Sequence, residues 1–265
     1  MYKKKRVAVL FFGQPRHIGN RISSLSHRHW LRRHKVDYFG HVWYGASEIL
    51  EYTVGENVLS NHIPNSAPDL LRRQYPGIKL VVEKPRQFKL DDYPVLQDQI
   101  AKPRNRKIGY QLDLLPVFLS QFYSITSAIK VFCESAVSTD YDFVVLSRYD
   151  NLVIHIPDLE KLPMNRLIVN NARSFFHDYI FIGNLPLVEA LDAYRNLNQL
   201  LLMEADYSPE ELKRASFFTN FLVSDVYPIE MNVRLNRGES ILQLAYFWLK
   251  DYEHRLKSMF KLLRF

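Results

Sequence analysis

Apolar positions along the chain alternate between short continuous runs and longer stretches with helical spacing. Short segments rich in apolar residues predict strands at residues 7–12, 36–43, 78–83, 143–146, 152–156, 167–169, 179–182 and 229–235, and the unbroken run at 7–12 is typical of a strand buried on both faces. Apolar residues three and four apart predict helices at residues 19–33, from about 114 onward, and at 187–203, 209–223 and 240–260. This alternation predicts an α/β fold with a mainly parallel central sheet flanked by helices.

The chain is expected to form a single domain over residues 1–265, because neither a linker nor a repeat of fixed period interrupts the alternation. Residues 84–109 carry three prolines and many charges without periodicity, so they are predicted to form one long loop. Pro116 is expected in the first turn of the helix that follows, where its missing N–H group costs nothing.

Composition excludes several classes of protein. A chain that is 47% hydrophobic, 14% aromatic and 24% charged is neither disordered nor fibrous. The single cysteine, Cys133, forms neither an internal disulfide nor a cysteine-rich zinc site, and its apolar surroundings predict a buried structural thiol. No run approaches the roughly 18–20 apolar residues that cross a bilayer, so the chain is expected to be soluble, with a cytoplasmic location compatible.

The formal net charge of +7 requires an explanation. Basic residues concentrate at positions 3–6, 28–35 and 102–107. Such clusters suit nucleic acid, anionic lipid or a phosphorylated ligand, and they equally suit a solvated surface. Charge alone therefore does not choose a partner.

The turn after the first strand is the first candidate site, since ligands of open parallel sheets bind beyond the carboxyl ends of strands. It reads Gly13-Gln14-Pro15-Arg16. Glycine lets a ligand approach the backbone, and the Arg16 guanidinium offers donors suited to phosphate. The motif is neither a phosphate loop nor a dinucleotide fingerprint, and an ordinary strand-to-helix turn is the alternative reading.

A second candidate follows the strand at 143–146, where Ser147 is followed by Arg148, Tyr149 and Asp150. A carboxylate at such a strand end can hold a divalent cation that bridges a diphosphate, while a guanidinium takes the remaining phosphate charge. A local ion pair between Arg148 and Asp150 is the alternative.

His41 is a third candidate, on the strand at 36–43. It fits either a buried histidine with satisfied partners or a ligand contact. The nine histidines show no zinc-binding pair with an adjacent glutamate base, and no serine-hydrolase elbow is present.

Five segments resemble, in the same order, a group of glycosyltransferases found in bacterial polysaccharide loci and large DNA viruses. They are residues 12–16, 37–43, 119–125, 141–150 and 176–183. The first resembles that group's Gly-Gln-Pro-Arg opening, the second its Asp-x-Phe-x-His-x-Trp strand and the fourth its Tyr-Asp-Phe-Val-x-x-x-Arg-x-Asp segment.

The resemblance implies a single GT-A-type domain, with a nucleotide-binding half at residues 1–150 and an acceptor half with the C-terminal helices at 151–265. It implies transfer of a sugar from a UDP- or GDP-linked donor to a glycan or polysaccharide acceptor. It places Mn²⁺ or Mg²⁺ on Asp150, because Arg148 stands where the usual Asp-x-Asp motif has its first carboxylate.

The same resemblance assigns the site residues. The nucleotide-sugar contacts are expected from Phe12, Gly13, Gln14, Arg16, His41, Gln121, Ser124 and Arg148. Asp178 is expected to be the catalytic base that takes a proton from the acceptor hydroxyl. Residues 102–107 are expected to cover the diphosphate as a lid.

Two other functions stay open at this stage. Basic and aromatic residues interleave at 28–44, as in nucleic-acid-binding or processing proteins, although no module of that kind is recognisable and nucleic acid is not favoured. The basic, apolar C-terminus at 246–265 fits either an amphipathic helix of a membrane-peripheral protein or a terminal helix that packs on its own domain.

Overall fold

The computed structural model describes residues 4–45, 50–54, 57–61, 63–89, 108–136, 140–171, 176, 179–202, 209–236 and 240–262. The strands in this part of the chain are β1 (Arg6–Phe12), β2 (Lys35–Trp43), β3 (Leu50–Val54), β4 (Asn57–Asn61), β5 (Lys79–Glu83), β6 (Phe143–Arg148), β7 (Asn151–His155), β8 (Leu167–Asn170), β9 (Ile180–Gly183), β10 (Val226–Ile229) and β11 (Asn232–Leu235). The α-helices are α1 (Ile22–Leu31), α2 (Ala67–Gln74), α3 (Ile108–Ser135), α4 (Leu185–Glu189), α5 (Leu197–Leu202), α6 (Pro209–Phe218) and α7 (Ile241–Leu262).

A seven-stranded sheet in the order β5-β2-β1-β6-β9-β8-β10 forms the centre of the molecule. Its neighbouring strands pair in parallel, except that β9 runs antiparallel to both β6 and β8. Strands β7 and β11 form a separate two-stranded sheet, and β3 and β4 form a hairpin. The predicted α/β class with a mainly parallel sheet is confirmed.

Strand β1 is buried on both faces because helices cover both sides of the sheet. Ala8, Leu10 and Phe12 join one core cluster with residues of α3 to α6. Val7 and Phe11 alternate onto the other face, in a second cluster with residues of α1 and α2. This two-sided cover explains why an unbroken apolar run, rather than an alternating one, marks the strand.

Helix α3 begins at Ile108, not near residue 114, so Pro116 lies well inside it and not in its first turn. The sequence already carries apolar residues at helical spacing before the proline, at Ile108, Leu112 and Leu115. Cys133 is exposed, so its prediction as a buried thiol is wrong. The buried face of α3 runs through Ile129 and Phe132, and position 133 lies one step further round the helix.

The predicted helix at 187–203 is broken into α4 and α5. Asp192 lies between them, and its carboxylate accepts hydrogen bonds from the backbone N–H of Arg195 and from the Thr126 hydroxyl. A side chain that binds nearby backbone in this way competes with helix formation. The predicted strand at 229–235 is likewise two strands, β10 beside β8 and β11 beside β7.

The hairpin β3–β4 and helix α2 were not predicted, because polar residues break the apolar pattern between β2 and β5. None of the described helices combines the length and apolar character needed to cross a membrane. The single-domain boundary and its division at residue 150 stay predictions.

Candidate functional site

The carboxyl ends of β1 and β6 lie side by side at one edge of the sheet. Phe12, the last residue of β1, is the register partner of Arg148, the last residue of β6. The chain passes from β1 to β2 and β5 on one side, and then returns to β6 on the other side of β1. Strand order therefore reverses between β1 and β6, which is where ligands bind in open sheets of this kind.

The turn at residues 13–16 forms one lip of this crevice. Gly13 has a φ of 95°, a left-handed conformation that favours glycine. Its N–H donates to Ser124 Oγ at 2.7 Å, and its carbonyl accepts from the Trp43 N–H at 3.4 Å. Within the turn, Arg16 Nε donates to Gln14 Oε1 at 3.2 Å. The turn is thus held from below by Ser124, and Gln14 contributes to the placement of Arg16.

Arg148 and Asp150 form the other lip. Arg148 donates through Nε and Nη2 to the two carboxylate oxygens of Asp150, both at 2.8 Å. The Asp150 side chain is 2% exposed and that of Arg148 is 19% exposed. Burial alone would raise the pKa of Asp150, but the charges of Arg148 and Arg16 lower it below its ordinary value. The local ion pair that the sequence left as an alternative is therefore present, and it holds the guanidinium in one orientation.

The described residues do not fit the divalent cation that the resemblance implied. Magnesium in proteins is usually held by one or two carboxylates together with substrate phosphates. Here the carboxylate in question has both oxygens bound to Arg148, and the described part of the chain contains no group of three or more His, Cys, Asp or Glu side chains able to hold a metal. Asp150 as a metal ligand stays a prediction.

A layer of buried polar groups supports the 13–16 turn. Ser124 and His41 are fully buried, and His41 Nδ1 lies 2.8 Å from Ser124 Oγ. Burial lowers the pKa of His41 to about 4, although Glu83 opposes the shift. Because Ser124 Oγ accepts a hydrogen bond from the Gly13 N–H, we assign its hydroxyl as the donor to an unprotonated His41 Nδ1. The proton of the neutral imidazole is then on Nε2, which lies 3.6 Å from Glu83 Oε1. A neutral histidine thus orients the hydroxyl that holds the turn.

An aromatic and charged cluster closes the carboxyl ends of β2 and β5. Trp43 stacks on Tyr123 with ring centroids 5.3 Å apart, and the Arg86 guanidinium lies 4.5 Å from the Tyr123 ring centroid. Tyr123 donates to Glu83 at 3.2 Å, and Arg86 donates to the same carboxylate at 2.9 Å. Sequence reasoning missed Glu83, Arg86 and Tyr123. The signal was available, because Glu83 ends an apolar strand as Arg148 does.

The structure separates the predicted nucleotide-sugar contacts into an edge group and a buried group. Gly13, Gln14, Arg16 and Arg148 are at the crevice and partly exposed. The side chains of Phe12, His41 and Ser124 are at most 1% exposed and lie beneath it. Contact between any of these residues and a donor stays a prediction.

Gln121 lies one helical turn before Ser124, and its Nε2 is buried without a hydrogen-bond partner among the described residues. Asp178 and the lid predicted at 102–107 lie outside the described residues. The residue after Asp178, Tyr179, lies at the crevice edge, where its carbonyl accepts from the Arg148 N–H at 3.4 Å.

One further link joins this edge to the C-terminal part of the chain. The Asn236 N–H donates to the Asp150 carbonyl at 2.6 Å. Its side-chain amide donates to Asn20 Oδ1 at 3.0 Å and to Ser23 Oγ at 3.1 Å. Asn236, the residue after β11, therefore bonds both to the site and to the start of α1.

No family model matches this chain, and no curated protein matches it. Among solved structures, the chain is similar to the glycosyltransferase GlyE of Streptococcus pneumoniae TIGR4, with 14% identity and a TM-score of 0.39. The apo form of the same protein gives 14% identity and a TM-score of 0.41. Each comparison covers 86% of this chain and 46% of the GlyE chain, so the chain spans about half the length of these structures.

Proposed function

We propose that this protein is a GT-A-type glycosyltransferase that moves a sugar from a UDP- or GDP-linked donor to a glycan or polysaccharide acceptor. The observation that carries the proposal is the placement of two guanidinium-bearing residues, Arg16 and Arg148, on opposite lips of the crevice between β1 and β6. A guanidinium group can donate two parallel N–H hydrogen bonds to phosphate oxygens, and a crevice of this kind is where nucleotides bind in such sheets. In this proposal, residues 1–150 hold the nucleotide and residues 151–265 contribute the acceptor side.

The chemistry required of the crevice is electrostatic. Breaking the bond between the sugar and the diphosphate places negative charge on the leaving group, and cations fixed in advance at that position lower the barrier. Asp150 fixes the Arg148 guanidinium through two hydrogen bonds, so little reorganisation is needed when charge develops. The buried Ser124–His41 pair does the same for the 13–16 turn that carries Arg16.

The acceptor side of the reaction rests on the family resemblance. In this proposal Asp178 takes the proton from the acceptor hydroxyl as the new bond forms, as a general base would. No step is routed through Mn²⁺ or Mg²⁺, because the described residues do not fit the ion.

Binding of nucleotides is the most direct test. UDP, GDP and their sugar conjugates should raise the melting temperature of the protein, because a ligand that binds only the folded chain stabilises it by about 2.7 kcal/mol at a hundred times its Kd. Arms with Mn²⁺ and with EDTA measure any metal dependence separately. The nucleotides that respond should then be tested for release of their sugar to water, a reaction that needs no acceptor.

Matched variants locate the binding. Arg148→Lys keeps the charge but loses the two-pronged geometry, so it should weaken the nucleotide response, while Arg72→Lys on α2 should not. A protein that ignores every nucleotide tested would contradict the proposal. Binding to nonspecific DNA that falls steeply with salt would then favour the nucleic-acid alternative.

A further inference from the structure

Helix α7 covers the small sheet with one face and presents apolar side chains on the other. Leu244 is 1% exposed and packs with Ile22, Leu152 and Ile154, while Phe247 and Trp248 pack around them. The opposite side holds an apolar ridge, which we define as the exposed residues Ile241, Leu242, Tyr246, Leu249 and Tyr252. Leu242 is 78% exposed and Leu249 is 68% exposed, values far above those of the core. A helix partnered on one face thus leaves an apolar strip uncovered.

Basic residues border the ridge on both sides. A groove of about 450 Å³ separates α7 from α1 and is lined by Arg32, Arg33 and Arg255. A groove of about 740 Å³ on the other side of α7 is lined by Arg234 and Lys250, together with the carboxylate of Glu230. Arg28, also exposed on α1, lines a third groove beside Ile241.

Several of these cations have acidic neighbours on the same face. Lys250 pairs with Glu253 at 3.2 Å, Arg255 with Asp251 at 2.9 Å and Arg33 with Asp158 at 4.0 Å.

The other cations contact neutral groups. Arg28 donates to the Ser24 carbonyl, Arg32 to the His29 ring, and Arg234 lies over the Phe247 ring. Because these contacts do not neutralise their charge, the border of the ridge is left positive.

We propose that this face binds the surface of an anionic lipid bilayer. The ridge side chains enter the interfacial region, and the arginines on either side contact lipid phosphates, as in helices that lie in the plane of a membrane. Charge complementarity favours lipid over a second copy of the chain, because two such faces would set like charges against each other. The inference does not depend on the proposed transferase activity, since vesicle binding is measured without nucleotide.

The test is cosedimentation of the full chain with vesicles of phosphatidylcholine alone and of an equimolar mixture with phosphatidylglycerol. The anionic vesicles should bind the protein more tightly, and high salt should weaken that binding. The double variant Leu242→Ser/Leu249→Ser should bind the anionic vesicles about tenfold more weakly or worse, since it removes apolar area from the interface. Arg32→Glu/Arg33→Glu should lose about tenfold as well.

Two double variants elsewhere on the surface are matched controls. Leu222→Ser/Val223→Ser changes two apolar residues that are 71% and 76% exposed, and Arg72→Glu/Arg73→Glu reverses two exposed arginines on α2. Both should bind like the unmodified chain, and circular dichroism should show every variant folded.

Three results would overturn the proposal. The first is no binding to anionic vesicles at low salt, and the second is binding that the controls reduce as much as the ridge variants do. The third is a dimer, detected by light scattering, that Leu242→Ser/Leu249→Ser dissolves while vesicles bind nothing. That last result would assign the ridge to a second copy of the chain.

Discussion

The two edges of the central sheet carry the same kinds of charged residue in different arrangements. At the amino edge, Arg6 contacts Asp37 at 3.4 Å and Asp140 at 3.1 Å, and all three side chains are 42–49% exposed. At the carboxyl edge, Arg148 holds a 2%-exposed Asp150 through two bonds of 2.8 Å. The amino-edge arginine is partly exposed and shared between two carboxylates, whereas the carboxyl-edge arginine is fixed by one. Burial and geometry, rather than residue type, distinguish a candidate site from an ordinary charged surface.

The largest expected effect comes from removing the fixed arginine. Arg148→Ala should cost about 3–5 kcal/mol of stability, because it leaves the Asp150 carboxylate buried without its partner. If the proposed function holds, it should also reduce turnover about 10²–10³-fold, the usual cost of losing one electrostatic donor. Urea unfolding and an assay of sugar release measure the two effects.

The control for this prediction is Arg6→Ala at the opposite edge, which should change both quantities little. The double variant Arg148→Ala/Asp150→Ala should regain stability but not nucleotide binding. Equal losses of stability at the two edges would remove the contrast between them.

Acid should weaken the molecule through its buried histidines. The pKa of His41 falls from 6.5 to about 4 and that of His27 to about 3, mainly because both are buried. Between pH 6.5 and 4 the unfolded chain therefore binds more protons than the folded chain. The free energy of unfolding has its full value above pH 6.5, and it decreases as the pH falls through this window by about 1.4 kcal/mol per pH unit for each histidine. The pKa of Asp150 lies below its ordinary value of 3.8, so this carboxylate stays ionised in that window.

The measurement is the free energy of unfolding between pH 7.5 and about 4.5. His41→Asn and His27→Asn should each reduce the slope by a similar amount, and the double variant should keep only the smaller slope from groups such as His155, whose pKa burial also lowers. A slope that is unchanged in the double variant would show that other groups govern the acid response.

A comparison of two glycines gives the smallest expected effect. Tyr149, between Arg148 and Asp150, lies against Gly40 on β2, where an added Cβ would meet the Tyr149 hydroxyl and the Phe11 backbone. Gly40→Ala should therefore cost about 1–3 kcal/mol through overpacking. Gly77, at the amino edge, has open space around it but a φ of 79°, so Gly77→Ala should cost about 1 kcal/mol from backbone strain alone.

Thermal unfolding of the two alanine variants provides the test. The nucleotide response should decline in Gly40→Ala and persist in Gly77→Ala, because only the first displaces the residue between the two ends of the ion pair. The opposite order of stabilities would mean that the carboxyl edge tolerates repacking.

The sequence predicted those parts of the fold in which a residue's environment follows from its neighbours in the chain. Strands β1 and β6 are built around continuous apolar runs and β2 is rich in apolar residues, and each begins within a residue of its predicted start. The prediction of one continuous helix at 187–203 was wrong because the Asp192 carboxylate accepts a hydrogen bond from Thr126 on α3, a contact that no local pattern reveals. The hairpin between β2 and α2 was missed for a local reason, because polar residues break the apolar pattern there.

The candidate site was predictable only in part for a similar reason. Gly13, Arg16, Arg148 and Asp150 follow apolar strands, so the rule about strand ends identified them, and the structure places the two ends side by side. The support beneath them was not foreseen, because Ser124 meets Gly13 across 111 positions and His41 across 83. Spacing in the sequence cannot show that a hydroxyl on α3 lies under a turn after β1.

The bond from the Asn236 N–H to the Asp150 carbonyl has a consequence for where catalysis would take place. Helix α7 begins at Ile241, and its Leu244 packs with Leu152, two positions after Asp150, so the first turn of the helix lies close to the crevice. A protein that rests this helix on a lipid leaflet would hold its crevice at a constant height above that leaflet. An acceptor carried by a lipid would then reach it by lateral diffusion, searching two dimensions instead of three.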